Sequence, residues 1–101
     1  MKVFVQSVNF NSDKELITFV ENKVSSLGKY YDKIIDSEVF LKVQQTSEKE
    51  NKIVEIKVNV PGDDLMVKKV SKTFEEGVSL GVEALKRQLN KRKEKTRVNQ
   101  V

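Results

Sequence analysis

Seven basic side chains crowd into twelve residues near the C-terminal end of this 101-residue chain: Lys86, Arg87, Lys91, Arg92, Lys93, Lys95 and Arg97, with Glu94 the one acid among them. The whole chain has 19 Lys and Arg against 15 Asp and Glu, so the remainder holds 12 basic and 14 acidic residues. The net charge of +4 is therefore concentrated in one segment and slightly reversed elsewhere. Ammonium and guanidinium groups at this density suit a polyanion. Each phosphate contact releases condensed counterions, and a guanidinium can also grip two phosphate oxygens or stack on a base.

Other chemistries are poorly supplied. There is no Cys, hence no disulfide, thiolate or cysteine metal site, and no His, the commonest general base and metal ligand. No nucleophile–base pair and no phosphate-cradling glycine loop is present, so the expectation is a binding protein rather than an enzyme, with no cofactor, no metal and no small-molecule substrate. Asp63-Asp64 reads as part of a turn, since two carboxylates without further ligands do not make a cation site. Met1-Lys2-Val3-Phe4-Val5 lacks the apolar core of a signal peptide, and no run approaches the roughly 20 apolar residues of a membrane span. The expected location is the cytoplasm, with no membrane partner.

The elements that must carry the basic segment follow from hydrophobic spacing. Lys2 to Val8 reads as a strand with Val3 and Val5 on one face. Ser12-Asp13-Lys14-Glu15 fits a capping box with Ser12 as the cap. The helix after it carries Leu16, Ile17, Val20, Val24 and Leu27, and Gly28 is placed to end it. Ile34 to Val43 alternates as a second strand, Gln44 to Lys52 forms a polar hairpin tip, and Ile53 to Val60 is a third strand with Val54, Ile56, Val58 and Val60 inward. Pro61-Gly62-Asp63-Asp64 reads as a turn. Leu65 to Lys72 is a fourth strand, placed at an edge by Lys68, Lys69 and Lys72. Thr73-Phe74-Glu75-Glu76 is a second capping box. The predicted fold is α+β, ordered β-α-β-β-β-α: a four-stranded, antiparallel-rich sheet with two helices on one face, in a single domain 1–101.

On a wheel at about 100° per residue, Phe74, Val78, Val82, Leu85 and Leu89 of the last helix fall within about 80° of one another. Beyond Leu89 the same direction is taken by Arg92 and Thr96. Arg87, Lys91 and Lys95 form a row on the far side, and Lys86, Lys93 and Arg97 lie on a flank. The end of the helix and the tail, about 86–101, are thus expected to lack a core-facing side and to project past the sheet as a positive rod. Lys23, Lys29 and Lys33, with Lys68, Lys69 and Lys72, are candidates for extending the basic surface. Of Tyr30 and Tyr31, one is expected to lie over the core and the other to be exposed. Gly77 and Gly81 are expected to let the two helices approach closely.

This order of elements and this helix resemble the short ribosome hibernation promoting factors, the ribosome-associated inhibitor or protein Y family. The strongest local similarity is Leu85-Lys86-Arg87-Gln88-Leu89-Asn90-Lys91-Arg92-Lys93, like the family's Leu-x-Arg-Gln-Leu-x-Lys-x-Lys helix ending. Lys29-Tyr30-Tyr31-Asp32-Lys33-Ile34 and Val60-Pro61-Gly62 support it. The resemblance implies a fold related to double-stranded-RNA-binding domains. It implies binding to 16S rRNA of the small (30S) subunit and of the 70S ribosome, in the mRNA/tRNA channel at the A and P sites. It also implies inhibition of translation and preservation of idle ribosomes under stress or in stationary phase, by a protein that is a monomer off the ribosome. By position, Arg87, Lys91 and Lys93 match the pattern's basic residues; Lys86, Arg92, Lys95 and Arg97 join them by charge and wheel position alone. Departures are Ala84 where the family commonly has Lys, Lys86 where it has an acid, and Thr73-Phe74-Glu75 where Asp-Met-Tyr is frequent. Long family members carry a linker and a further domain that pair two ribosomes; this chain reads as the short form.

Two rival readings remain open on the residues. One is a generic module for structured or double-stranded RNA, against which stands the acidic start of the last helix, Glu75 and Glu76. The other is a protein-interaction domain that sets its outer sheet face or basic helix against an acidic partner.

Overall fold

The computed structural model describes residues 1–99, with side chains as far as Glu94. The elements run β1 Lys2–Val8, α1 Lys14–Ser25, α2 Leu27–Tyr30, β2 Asp36–Val43, β3 Lys52–Val60, β4 Asp63–Ser71 and α3 Phe74–Asn99. The four strands form one sheet in the order β1-β2-β3-β4, in which β1 pairs parallel to β2 and the two later pairs are antiparallel. This is the predicted α+β sheet-and-helix arrangement, with β4 at an edge, plus one extra helical turn, α2.

The alternation of β2 and β3 does what a period of two requires. Val39, Leu41, Val54, Ile56, Val58 and Val60 turn to one face and are buried there. The stripe on α3, Phe74, Val78, Val82, Leu85 and Leu89, is buried against that face beside Val20 and Val24 of α1 and Leu27 of α2. A stacked pair, Phe10 on Phe74 with ring centroids 5.0 Å apart, joins the β1–α1 connection to the start of α3. The opposite face of the sheet is uncovered, and Phe4, Met66 and Val70 are exposed there.

Several boundaries differ from the sequence expectation for identifiable reasons. The cap of α1 is Asp13, whose Oδ1 accepts the Leu16 N–H at 2.8 Å, while the Ser12 hydroxyl is occupied with the Ser7 hydroxyl. Gly28 does not end α1. The helix stops at Ser25, its cap Ser26 keeps right-handed backbone angles, and Gly28 sits inside α2. The β3–β4 turn is only Pro61-Gly62, since Val60 pairs with Asp63; Gly62 has φ of 78°, which a side chain would strain. At the start of α3 the Thr73 hydroxyl accepts the Glu76 N–H at 3.1 Å, as the second capping box predicts.

The two helix glycines face the sheet rather than the other helix. A Cβ at Gly77 would lie 2.8 Å from Val54 Cγ2, and one at Gly81 would lie 2.8 Å from Ile56 Cδ1. They set the height of α3 above β3 and β4. Gly77→Ala gains about 1 kcal/mol of helix propensity, but it drives a methyl into a β-branched side chain held in a strand, an overpacking that costs about 1–3 kcal/mol. We expect a net loss on the order of 1 kcal/mol, seen as a fall of several degrees in Tm by thermal denaturation. Gly81→Ala should cost less, because Ile56 can turn its terminal methyl aside. Equal Tm values for wild type and Gly77→Ala would show that the close approach is not a constraint.

Candidate nucleic-acid interface

The geometry of the basic segment follows from a mismatch of lengths. Strand β4 has nine residues and spans about 30 Å. Helix α3, packed along it, has 26 residues and spans about 39 Å. Its last turns outrun the sheet at the end where the β3–β4 turn and the α2 segment lie.

The structure divides the predicted residues into distinct groups. Arg87 and Lys91 are exposed and, among the described residues, make no hydrogen bond or ion pair. One helical turn apart, they present two uncompensated charges in a row. Lys86 lies partly exposed on another side of α3, within 3.5 Å of Glu83. Lys93, two turns further along that side, sits with its Nζ 5.5 Å from the Tyr30 ring centroid and donates to the Tyr30 carbonyl oxygen at 3.3 Å. Both contacts are at the surface and leave Lys93 exposed. Lys95 and Arg97 lie on helical backbone, and their side chains fall outside the described residues.

Arg92 departs from the sequence reading. The sequence pattern groups it with the phosphate-binding cations, on the premise that it has no core partner. Its Nε donates to the Tyr31 hydroxyl at 3.2 Å, one Nη to the Pro61 carbonyl oxygen at 3.0 Å, and the other Nη to Asp63 Oδ2 at 3.2 Å. Tyr31 is the tyrosine that lies buried over the core, and Tyr30 beside it is half-buried rather than fully exposed. The rod is thus tethered at Arg92 and begins beyond it. The helical wheel carried the signal, because it places Arg92 directly in line with Phe74. Sequence reasoning missed Tyr31, Pro61 and Asp63 as its partners because the topology, not the local sequence, brings those loops there.

The secondary lysines also separate. Lys23 closes α1, Lys29 lies in α2 and Lys33 follows it; all three are exposed, in the segment that Tyr30 and Tyr31 fasten to α3. Lys29 and Lys33 flank the two tyrosines that touch Arg92 and Lys93. Lys68, opposite Glu55, is on the uncovered sheet face, whereas Lys69, opposite the inward-facing Val54, is on the helix side. Lys72 precedes the start of α3, some 27 Å along the helix from Arg92. These three do not form one surface with the helix end.

A family model, described as Sigma 54 modulation protein / S30EA ribosomal protein, matches residues 3–97. The chain belongs to this ribosome-associated family. Among solved structures the chain is similar to a ribosomal subunit interface protein from Coxiella burnetii, at TM-score 0.78 and 21% identity over 93% of this chain and 99% of that one. It is also similar to the N-terminal domain of Protein Y from Thermus thermophilus, at TM-score 0.72 and 22% identity over 89% and 93% of the two chains. At these identities the structures show a shared fold. Comparison with curated proteins gives no significant match.

In this S30EA-family chain, Arg87 and Lys91 hold nothing in the fold together. Reversing both to Glu should leave the structure intact, with a stability change within about 0.5 kcal/mol per site. Circular dichroism and a thermal melt check this: an unchanged spectrum and a Tm within a few degrees are expected, and a collapsed fold would mean that the row has partners it is not shown to have.

Proposed function

We propose that this protein is a ribosome hibernation factor. It sets the basic end of α3 against 16S rRNA in the mRNA/tRNA channel of the small subunit, inhibits translation, and preserves idle 70S ribosomes in the cytoplasm under stress. It does so as a binding protein without chemistry of its own. The observation that carries the reading is the uncompensated Arg87–Lys91 row on a helix that runs past its sheet, in a chain of a ribosome-associated family.

Physically, the mode of action is occupancy. A rod about 10 Å across, carrying charge on more than one side, can lie in a phosphate-lined channel and neutralise several backbones at once. Inhibition then requires no rearrangement of the ribosome, only that mRNA and tRNA meet a filled site. The acidic first turn of α3, Glu75 and Glu76, both exposed, keeps that end of the helix away from phosphates and orients the molecule. It also separates this protein from a plain duplex-RNA reader, which would need positive charge at that point.

Co-sedimentation with purified ribosomal subunits across a salt series tests the proposal. Binding to the small subunit is expected, with a log–log salt slope of several units. The Arg87→Glu, Lys91→Glu double variant should lose most of it while remaining folded. Undiminished binding by that variant, or equally tight binding of wild type to a plain RNA duplex, would contradict the proposal.

A further inference from the structure

We propose that Arg92 is a positioning residue that aims the basic helix end, and is not itself one of its phosphate contacts; this deepens the ribosomal reading above and rests on it. Arg92 follows Leu89 on the inward side of α3, at the first position where the sheet no longer offers an apolar floor. An arginine reaches instead to the three acceptors at that end of the fold: the Tyr31 hydroxyl, the Pro61 carbonyl and the Asp63 carboxylate. The planar guanidinium suits this, since its N–H groups diverge in a fixed fork that a lysine cannot reproduce.

The three acceptors belong to two connections that only the fold brings together. Tyr31 follows α2 and is buried. Pro61 and Asp63 flank Gly62 in the tight β3–β4 turn. Arg92 therefore ties α3 to both connections at the point where it leaves the body, and fixes the direction of the turns beyond it, while Arg87 and Lys91, on either side of the buried Leu89, are placed by the core. Its positive charge is already met by Asp63 at 3.2 Å, whereas Arg87 and Lys91 have no such partner among the described residues. A change of angle of about 20° at this point moves the end of the helix by about 3 Å, because about 10 Å of helix follow it.

The alternative, that Arg92 grips phosphate and Asp63 merely holds it in the free protein, predicts effects of opposite sign. Three substitutions in the full-length chain separate the two. Arg92→Lys keeps the charge but loses the fork, Asp63→Asn removes the carboxylate, and Tyr31→Phe removes one acceptor while keeping the buried ring. We expect each to weaken small-subunit binding by about threefold to tenfold, the scale of one or two net hydrogen bonds. The salt slope should stay unchanged, since no phosphate contact is lost. In the free proteins, amide hydrogen exchange should quicken in the residues after Arg92 and stay at wild-type rates in β3. Tighter binding by Asp63→Asn together with wild-type binding by Arg92→Lys would overturn the assignment. So would unchanged exchange after Arg92 in all three variants. Exchange is read without ribosomes, so it tests the tether even if wild type fails to bind the small subunit; that failure would count against the ribosomal reading instead.

Discussion

A helix longer than the sheet beneath it is the constraint from which the rest of the structure follows. Up to Leu89, α3 is governed by burial: every third or fourth side chain meets β3, β4 or α1, and two glycines bring the backbone close to Val54 and Ile56. Beyond Leu89 there is no apolar surface left to meet, and the residues change accordingly. A bare helix end in water, with like charges at i, i+4 along Arg87, Lys91 and Lys95, is disfavoured by a few tenths of a kcal/mol per pair. Positive charge at a helix C-terminus offsets part of this through the helix dipole. The tether at Arg92 supplies a tertiary restraint at the crossing point.

Charge is distributed to match. On the uncovered face of the sheet, lysines and carboxylates alternate across the strands, with Lys42 3.0 Å from Glu55 and Lys57 within 4.0 Å of both Glu38 and Asp64. Such surface pairs contribute little to stability. Their consequence here is electrostatic: this face presents no net field to a polyanion. On α3 the pairs are Lys86–Glu83 and Arg92–Asp63, while Arg87 and Lys91 are exposed and, among the described residues, unpaired. In the proposed complex the RNA meets the protein end-on; Tyr30 and Lys93 lie at the seam between α2 and α3.

Much of this was legible in the chain itself. The periods of two and of 3.6 residues located the strands and helices, because each element has one buried face, and Val54, Ile56, Val82 and Leu85 are as buried as the pattern requires. What local pattern could not supply was contact between distant segments. Ser12 and Asp13 are both good caps, and the choice fell to Asp13 because Ser7, on β1, engages Ser12. The spacing of Gly77 and Gly81 shows that something approaches closely; that it is the sheet rather than α1 depends on where the sheet lies. Arg92 is the most instructive case. Its inward direction is plain from the wheel, yet its partners lie 29 to 61 positions away, so it reads as a free cation until the topology is known. Lys68 and Lys69 divide between the two sheet faces because neighbours on a strand point to opposite sides, and Lys72 lies beyond β4 at the far end of α3.

The central claim is that the basic end of α3 is the part of the molecule that lies against small-subunit rRNA. The chain has no cysteine, so a single one can be introduced without background: at Asn90, exposed on α3 between Arg87 and Lys91, or at Gln6, exposed on the opposite sheet face. With an iron-chelate probe on that cysteine, hydroxyl radicals cut only the RNA nearby. The account predicts strong cleavage of 16S rRNA at nucleotides lining the mRNA/tRNA channel from position 90 and weak cleavage there from position 6. Cleavage from position 6 with none from position 90 would contradict it.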